Sequence, residues 1–146
     1  MITRFVGQYA FLNPTWITRV FYQGEIWTSA EAAFQATKTD DSEIKKKIFY
    51  AQTVQQVKKI GETITVTDEW INKQINIMKE ITYAKFSQNK VLCNLLLQTE
   101  KEKIVYHDSE NNTFWGVYNN FGYNHLGLIL EQVRDQLQKE KQYDNS

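Results

Sequence analysis

WITRVFYQGEIWTSAEAAFQATK, residues 16–38, changes its period half-way along, and that change sets the fold class. Up to Trp27 the stretch is rich in aromatic and β-branched residues without helical spacing. It therefore reads as a hairpin turning near Gln23-Gly24. From Thr28 the pattern becomes helical. T-S-A-E fits a capping box, with Thr28 as N-cap and Glu31 three residues later. A cap at Ser29 instead frees Glu31 for other work. At 3.6 residues per turn Glu31, Gln35 and Lys38 share one narrow face, while alanines 32, 33 and 36 lie mostly away from it. Glu31 and Lys38 stand two turns, roughly 10 Å, apart, too far for the usual i, i+4 ion pair. Periodicity alone favours a solvated face over the lining of a site.

Working outward, residues 1–28 lack helical periodicity. Helices are predicted over Ser42 to Ala51, from a Thr53 cap to Gly61, and from Thr67 or Asp68 to about Phe86, the last with an apolar stripe of Ile71, Ile75, Met78 and Ile81. A shorter helix follows over Val91 to Gln98. Lys103 to His107 and Thr113 to Val117 read as short strands around the polar turn DSENN. The closing helix carries Leu126, Leu130, Val133 and Leu137. The expectation is a predominantly α-helical α+β fold: one compact multihelical domain over residues 1–140 with a small β-sheet or hairpin, and a charged, frayed tail at 141–146.

Composition narrows the function classes. Lysine plus arginine equals aspartate plus glutamate, 17 each, which argues against a general polyanion binder but leaves room for a pocket that reads one nucleotide. The single cysteine, Cys93 in VLCNLLL, excludes an internal disulfide and reads as core. With only two histidines no metal site is expected. The N-terminus has no apolar run of signal-peptide length, and no later segment suits a bilayer. A cytoplasmic protein without membrane association is expected.

Two further segments carry candidate chemistry. NNTFWG (111–116) either buries a tryptophan beside a tight turn or presents an indole face next to a bare backbone. NNFGYNHLG (119–127) runs into the last helix, whose free N–H groups suit a phosphate, although it lacks the Gly-Lys-Ser/Thr ending of a Walker loop. His125 reads as structural, and the lysine run 45–47 as a solvated helix face.

Together these segments resemble the NADAR (YbiA-like) family of N-glycosidases nearly end to end. FVGQYAFLN (5–13) is similar to the family's F-x-G-x-Y-x-F-L-S-N, and WTSAEAAFQATK (27–38) to its Y-P-S-x-E-H-x-Y-Q-x-x-K. TDEWINKQINIMKEITYAKFSQN resembles D-x-W-x-x-x-K-x-x-x-M ending in K-F. FWG (114–116) and GYNHLG (122–127) resemble D-x-F-W-G and G-x-N-x-L-G. The resemblance implies hydrolysis of a bond between ribose C1′ and a nitrogen. The substrate would be an ADP-ribosylated guanine, with an ADP-ribose-like nucleotide or N-riboside free or carried on DNA or RNA, or else a phosphoribosyl aminopyrimidine of riboflavin synthesis. It implies no cofactor and no metal.

Carried over by position, Glu31 and Lys38 are the reactive pair. The lysine would attack C1′ to form a Schiff base with the opened ribose, and the glutamate would shuttle the proton. Trp115 would wall in the base, with Asn13, Gln35 and Asn124 as polar contacts. The same motifs add Phe11, Ser29, Asn112 and Gly116 as substrate-binding positions, and the loop 119–125 would face the phosphates. Two departures stand out. Asn112 replaces the family aspartate three residues before the Trp, and Ala32 the histidine after the glutamate. An amide is no carboxylate base, so either Asp108 or Glu110 substitutes for it, or the chain is a catalytically impaired module that binds an ADP-ribose-like nucleotide without cleaving it.

Overall fold

The computed structural model describes residues 1–108 and 111–144. In chain order they form a 3-10 helix Gly7–Leu12, strands β1 (Val20–Tyr22) and β2 (Glu25–Trp27), and helices α1 (Ala30–Ala36), α2 (Ser42–Tyr50), α3 (Val54–Glu62), α4 (Asp68–Ser87), α5 (Lys90–Leu97) and α6 (His125–Asp144). The fold is thus predominantly helical with one small antiparallel sheet. None of the described helices is long and apolar enough to cross a membrane. The chain divides into two units, Pro14–Lys85 and Met1–Asn13 with Phe86–Ser146.

In the unit Pro14–Lys85, β1 and β2 pair in the register Val20↔Trp27, Phe21↔Ile26 and Tyr22↔Glu25. Gln23 and Gly24 both take positive φ (51° and 84°), which gives the two-residue turn the twist of the strands it joins. α1 packs against α2, α3 and the hairpin. Its alanines 30, 32, 33 and 36 are all buried, and their small side chains let those neighbours approach. Thr53 and Gln56 close a capping box at the start of α3, and the Thr67 hydroxyl caps α4 by accepting from the Trp70 N–H (3.1 Å). The predicted stripe of α4 holds only in part. Met78 and Ile81 are buried, whereas Ile71 and Ile75 are exposed, so the helix enters the core over its second half.

In the other unit α5 packs on α6. Leu92 and Leu96 are buried on α5, and Leu126, Ile129, Leu130, Val133 and Leu137 on α6. Each such side chain contributes about 1.5–3 kcal/mol. The Arg134 guanidinium is buried with them and donates to the Thr99 hydroxyl (3.0 Å) and the Glu102 carbonyl (2.8 Å). Phe11 meets the ring of Phe86 edge-on at 6.2 Å.

Four expectations need correction here. The N-terminal stretch without helical periodicity holds a 3-10 helix at 7–12, whose period of three escapes a search for 3.6. Segments 103–107 and 113–117 make isolated bridges, Ile2↔Ile104 and His107↔Val117, instead of ladder strands. Cys93 is half-buried, not core. α6 continues through residues 141–144, where fraying was expected, while 145–146 lie outside the described residues.

Candidate active site

α1 is capped by Ser29, not Thr28. The Ser29 side chain accepts from the Ala32 N–H at 3.0 Å, and Glu31 is left out of the capping bonds. The alternative that frees Glu31 is the one realised. Ser29 itself is buried and committed to the cap, so its hydroxyl serves the helix. α1 ends at Ala36, and Lys38 sits just past it, its N–H bonded to the Gln35 carbonyl (3.1 Å).

The stripe is not a solvated face. Gln35 is only 8% exposed, and its Nε2 donates to Glu31 Oε1 at 2.9 Å. Its Oε1 is buried and accepts no hydrogen bond among the described residues. That oxygen lies against Gly61, where an added Cβ would fall 1.9 Å from it. Any side chain at 61 therefore displaces Gln35 and, through it, Glu31. Gly61, which from the sequence merely ends a helix, makes room for the Gln35 side chain that donates to Glu31.

Lys38 is half-buried. Its Nζ lies 5.6 Å from the ring centroid of Trp70, a cation–π distance, and Trp70 is fixed by an Nε1 donation to the Thr37 hydroxyl (3.0 Å) and by packing on Phe34. Desolvation pushes the ammonium below the ordinary lysine range, and the carboxylates of Glu31 and Glu62 oppose this. A lysine so placed offers its neutral amine more readily than one in water. Sequence reading missed Glu62, Gly61 and Trp70, because the folding back of α3 and α4 brings them to α1.

It also missed Lys85, which is 1% exposed, its ammonium pushed down to about 7 by burial. The signal was present: Lys85 continues the α4 series Met78, Ile81 by one further turn, placing a lysine on the apolar face.

In the other unit Asn112 has a clear task. Its Oδ1 accepts from the Phe114 and Trp115 N–H groups at 3.1 and 2.9 Å, so the side chain caps the turn that carries FWG. An aspartate would accept the same two bonds. The departure from the family pattern thus removes no free base from this position. Asn112→Asp is expected to leave turnover within about twofold, while Asn112→Ala loses about 1–2 kcal/mol of stability in urea unfolding.

The remaining predicted contacts divide. Asn124 is buried and braces the backbone, accepting from Tyr106 N–H (2.8 Å) and donating to the Ile104 carbonyl (3.0 Å). Gly116 is buried, and a Cβ there meets the Tyr106 carbonyl at 2.4 Å, so its lack of a side chain serves packing instead of a ligand. Phe11 is a core residue. Trp115 is half-buried, edge-on to Phe114 (4.9 Å) and His125 (6.4 Å). Asn13 lines a cavity of about 520 Å³ together with Arg4, Tyr106, His107, Asp108 and Tyr118. Asp108 thus lines the same cavity as Asn13, whereas Glu110 lies outside the described residues.

The family model of the NADAR domain matches residues 5–138. The chain belongs to the NADAR domain family. It is 32% identical over 121 residues to N-glycosidase YbiA of Shigella boydii, spanning 81% of this chain and 75% of that protein. It is 30% identical over 139 residues to a riboflavin biosynthesis protein of Vibrio vulnificus, spanning 93% of this chain but only 38% of that protein's length. The NMR structure of the E. coli protein YbiA superposes with a TM-score of 0.84 at 27% identity, covering 96% of this chain and 87% of that one. The Shigella relative, and a further relative from Nostoc punctiforme that is 30% identical over 124 residues, spanning 81% of this chain and 79% of that protein, are named N-glycosidases, hydrolases of N-glycosyl bonds.

Proposed function

We propose that this NADAR chain is an N-glycosidase that hydrolyses a ribose C1′–N bond, and that it removes ADP-ribose from a modified guanine in nucleic acid. The observation that carries the reading is the half-buried Lys38 at the end of α1, lowered in pKa and accompanied by Glu31. The lysine amine attacks C1′ and the C1′–N bond breaks. Glu31, held by Gln35, delivers the proton that the departing base needs. Opening of the sugar ring gives the Schiff base, which water hydrolyses to regenerate the amine. The names of the N-glycosidase relatives support the bond class. Support for a polymeric substrate comes from Phe121 and Tyr123, large rings left in solvent where unstacked bases can lie against them.

A second reading is cleavage of phosphoribosyl aminopyrimidines, favoured by the name of the Vibrio relative. A non-cleaving binding module loses its motive, because Asn112 caps a turn. One chromatographic assay decides between the two substrates. ADP-ribosyl-guanine in a single-stranded oligonucleotide should be restored to guanine at least tenfold faster, in kcat/KM, than the aminopyrimidine riboside is cleaved. The reverse order selects the second reading, and no cleavage of either rejects both.

A further inference from the structure

The back of α1, the side carrying Ala33 and Ala36, opens into a groove of about 410 Å³ that the chemistry above does not use. It lies wholly within the unit Pro14–Lys85. Its walls are the hairpin residues Tyr22 and Trp27 and, from α2, Lys45, Lys46, Phe49 and Tyr50. This volume lies in the range of small-ligand pockets.

On α2 the spacing is i, i+4 twice over, Lys45 with Phe49 and Lys46 with Tyr50. Each cation therefore stands one turn from a ring on the same helix face. Trp27 is buried and meets Phe49 edge-on at 6.0 Å, forming a fixed aromatic floor. Phe49 in turn meets Tyr50 edge-on at 5.0 Å, and Tyr50 is 75% exposed. The Tyr22 hydroxyl donates to Glu80 at 2.7 Å, which holds that ring in place. Two lysines face one lining carboxylate, Glu25. The contact of Lys46 with Glu43 (3.5 Å, both exposed) is too weak to neutralise it. A lysine run on a solvated face explains neither the rings nor the groove.

We infer that this groove is a second binding site, which takes one nucleotide of a single-stranded nucleic acid: the base stacks on the exposed face of Tyr50 with Phe49 against its edge, and the adjoining phosphates meet Lys45 and Lys46. Rings paired with cations along one groove are the combination by which single strands are held without sequence preference. The protein's zero net charge is compatible with this, since the positive charge is local. For its biological role the inference rests on the polymeric substrate proposed above. The binding itself does not, because it needs no modified base.

The test is fluorescence anisotropy of a labelled 12-residue oligothymidylate at 50 mM salt. The wild type should bind saturably. Lys45→Glu combined with Lys46→Glu should weaken binding at least about tenfold, and Tyr50→Ala, at a solvent-facing position, at least about fivefold. Lys38→Ala should leave it unchanged, which separates this site from the reactive pair. Unlabelled oligothymidylate should displace the probe far better than thymidine monophosphate does. Absence of saturable binding, equal affinity in both groove variants, or displacement by the mononucleotide at the same concentration as by the oligomer overturns the inference. Binding that survives loss of turnover with any riboside leaves the groove standing and rejects only the proposed reaction.

Discussion

Lys38→Ala is expected to lower kcat by at least about a thousandfold while circular dichroism and the unfolding midpoint stay near wild type. The side chain is half-buried at a helix end and forms no part of the apolar core, so its removal spares the fold. Lys38→Arg should not rescue, because a guanidinium stays protonated. Borohydride should trap a covalent adduct on the wild type and none on Lys38→Ala. An unchanged rate in Lys38→Ala would remove the residue from the mechanism. The pH dependence follows in sign. The amine is active when neutral, and its pKa lies below the ordinary lysine value, so turnover should rise with pH and level off below 10.5. Glu31→Gln removes a carboxylate that raises this pKa, so the rising limb should move to lower pH even as the maximal rate collapses. A limb that stays in place would show that the Glu31 charge does not act on Lys38.

The second large effect is on stability. Lys85 has a folded-state pKa of about 7 against 10.5 for the free side chain, because burial penalises its charge. Between these values the unfolded chain binds the proton and the folded chain does not, so stability must rise with pH across that window. Above about 10.5 both states are neutral and the cost vanishes; below 7 it is constant and largest, up to roughly 5 kcal/mol. Relative to the wild type, Lys85→Met, similar in length and apolar, should be most favoured at and below about pH 7 in urea unfolding. That advantage should shrink steadily towards pH 10. An advantage that does not change with pH would show that Lys85 is charged in the folded state throughout.

Much of this was legible before any coordinates. The hairpin at Gln23-Gly24 and the capping signals of α3 and α4 are local chemistry, written in residues a few positions apart. The common face of Glu31, Gln35 and Lys38 is likewise a property of helical pitch. What periodicity misjudged was what lay opposite a face, or a repeat too short to register. The stripe of α4 is half in water, and the 3-10 helix at 7–12 has a period that does not repeat far enough to be seen. Neither Asn112 nor Asn124 could be read from type alone. An amide that binds ligand and one that caps a turn or braces a backbone are the same letters, and only their hydrogen-bond partners differ.

By itself, then, the sequence determined where the α-helices lie to within a residue or two and which side chains share a face, because capping, turn geometry and pitch act over a few residues. Only the tertiary structure decided the environment of those side chains. Gly61 against Gln35, Trp70 beside Lys38 and the ring-lined groove behind α1 come from segments brought together by packing. Desolvation and charge depend on distance in space, which is why the lowered pKa of Lys38 and the burial of Lys85 had to await the fold.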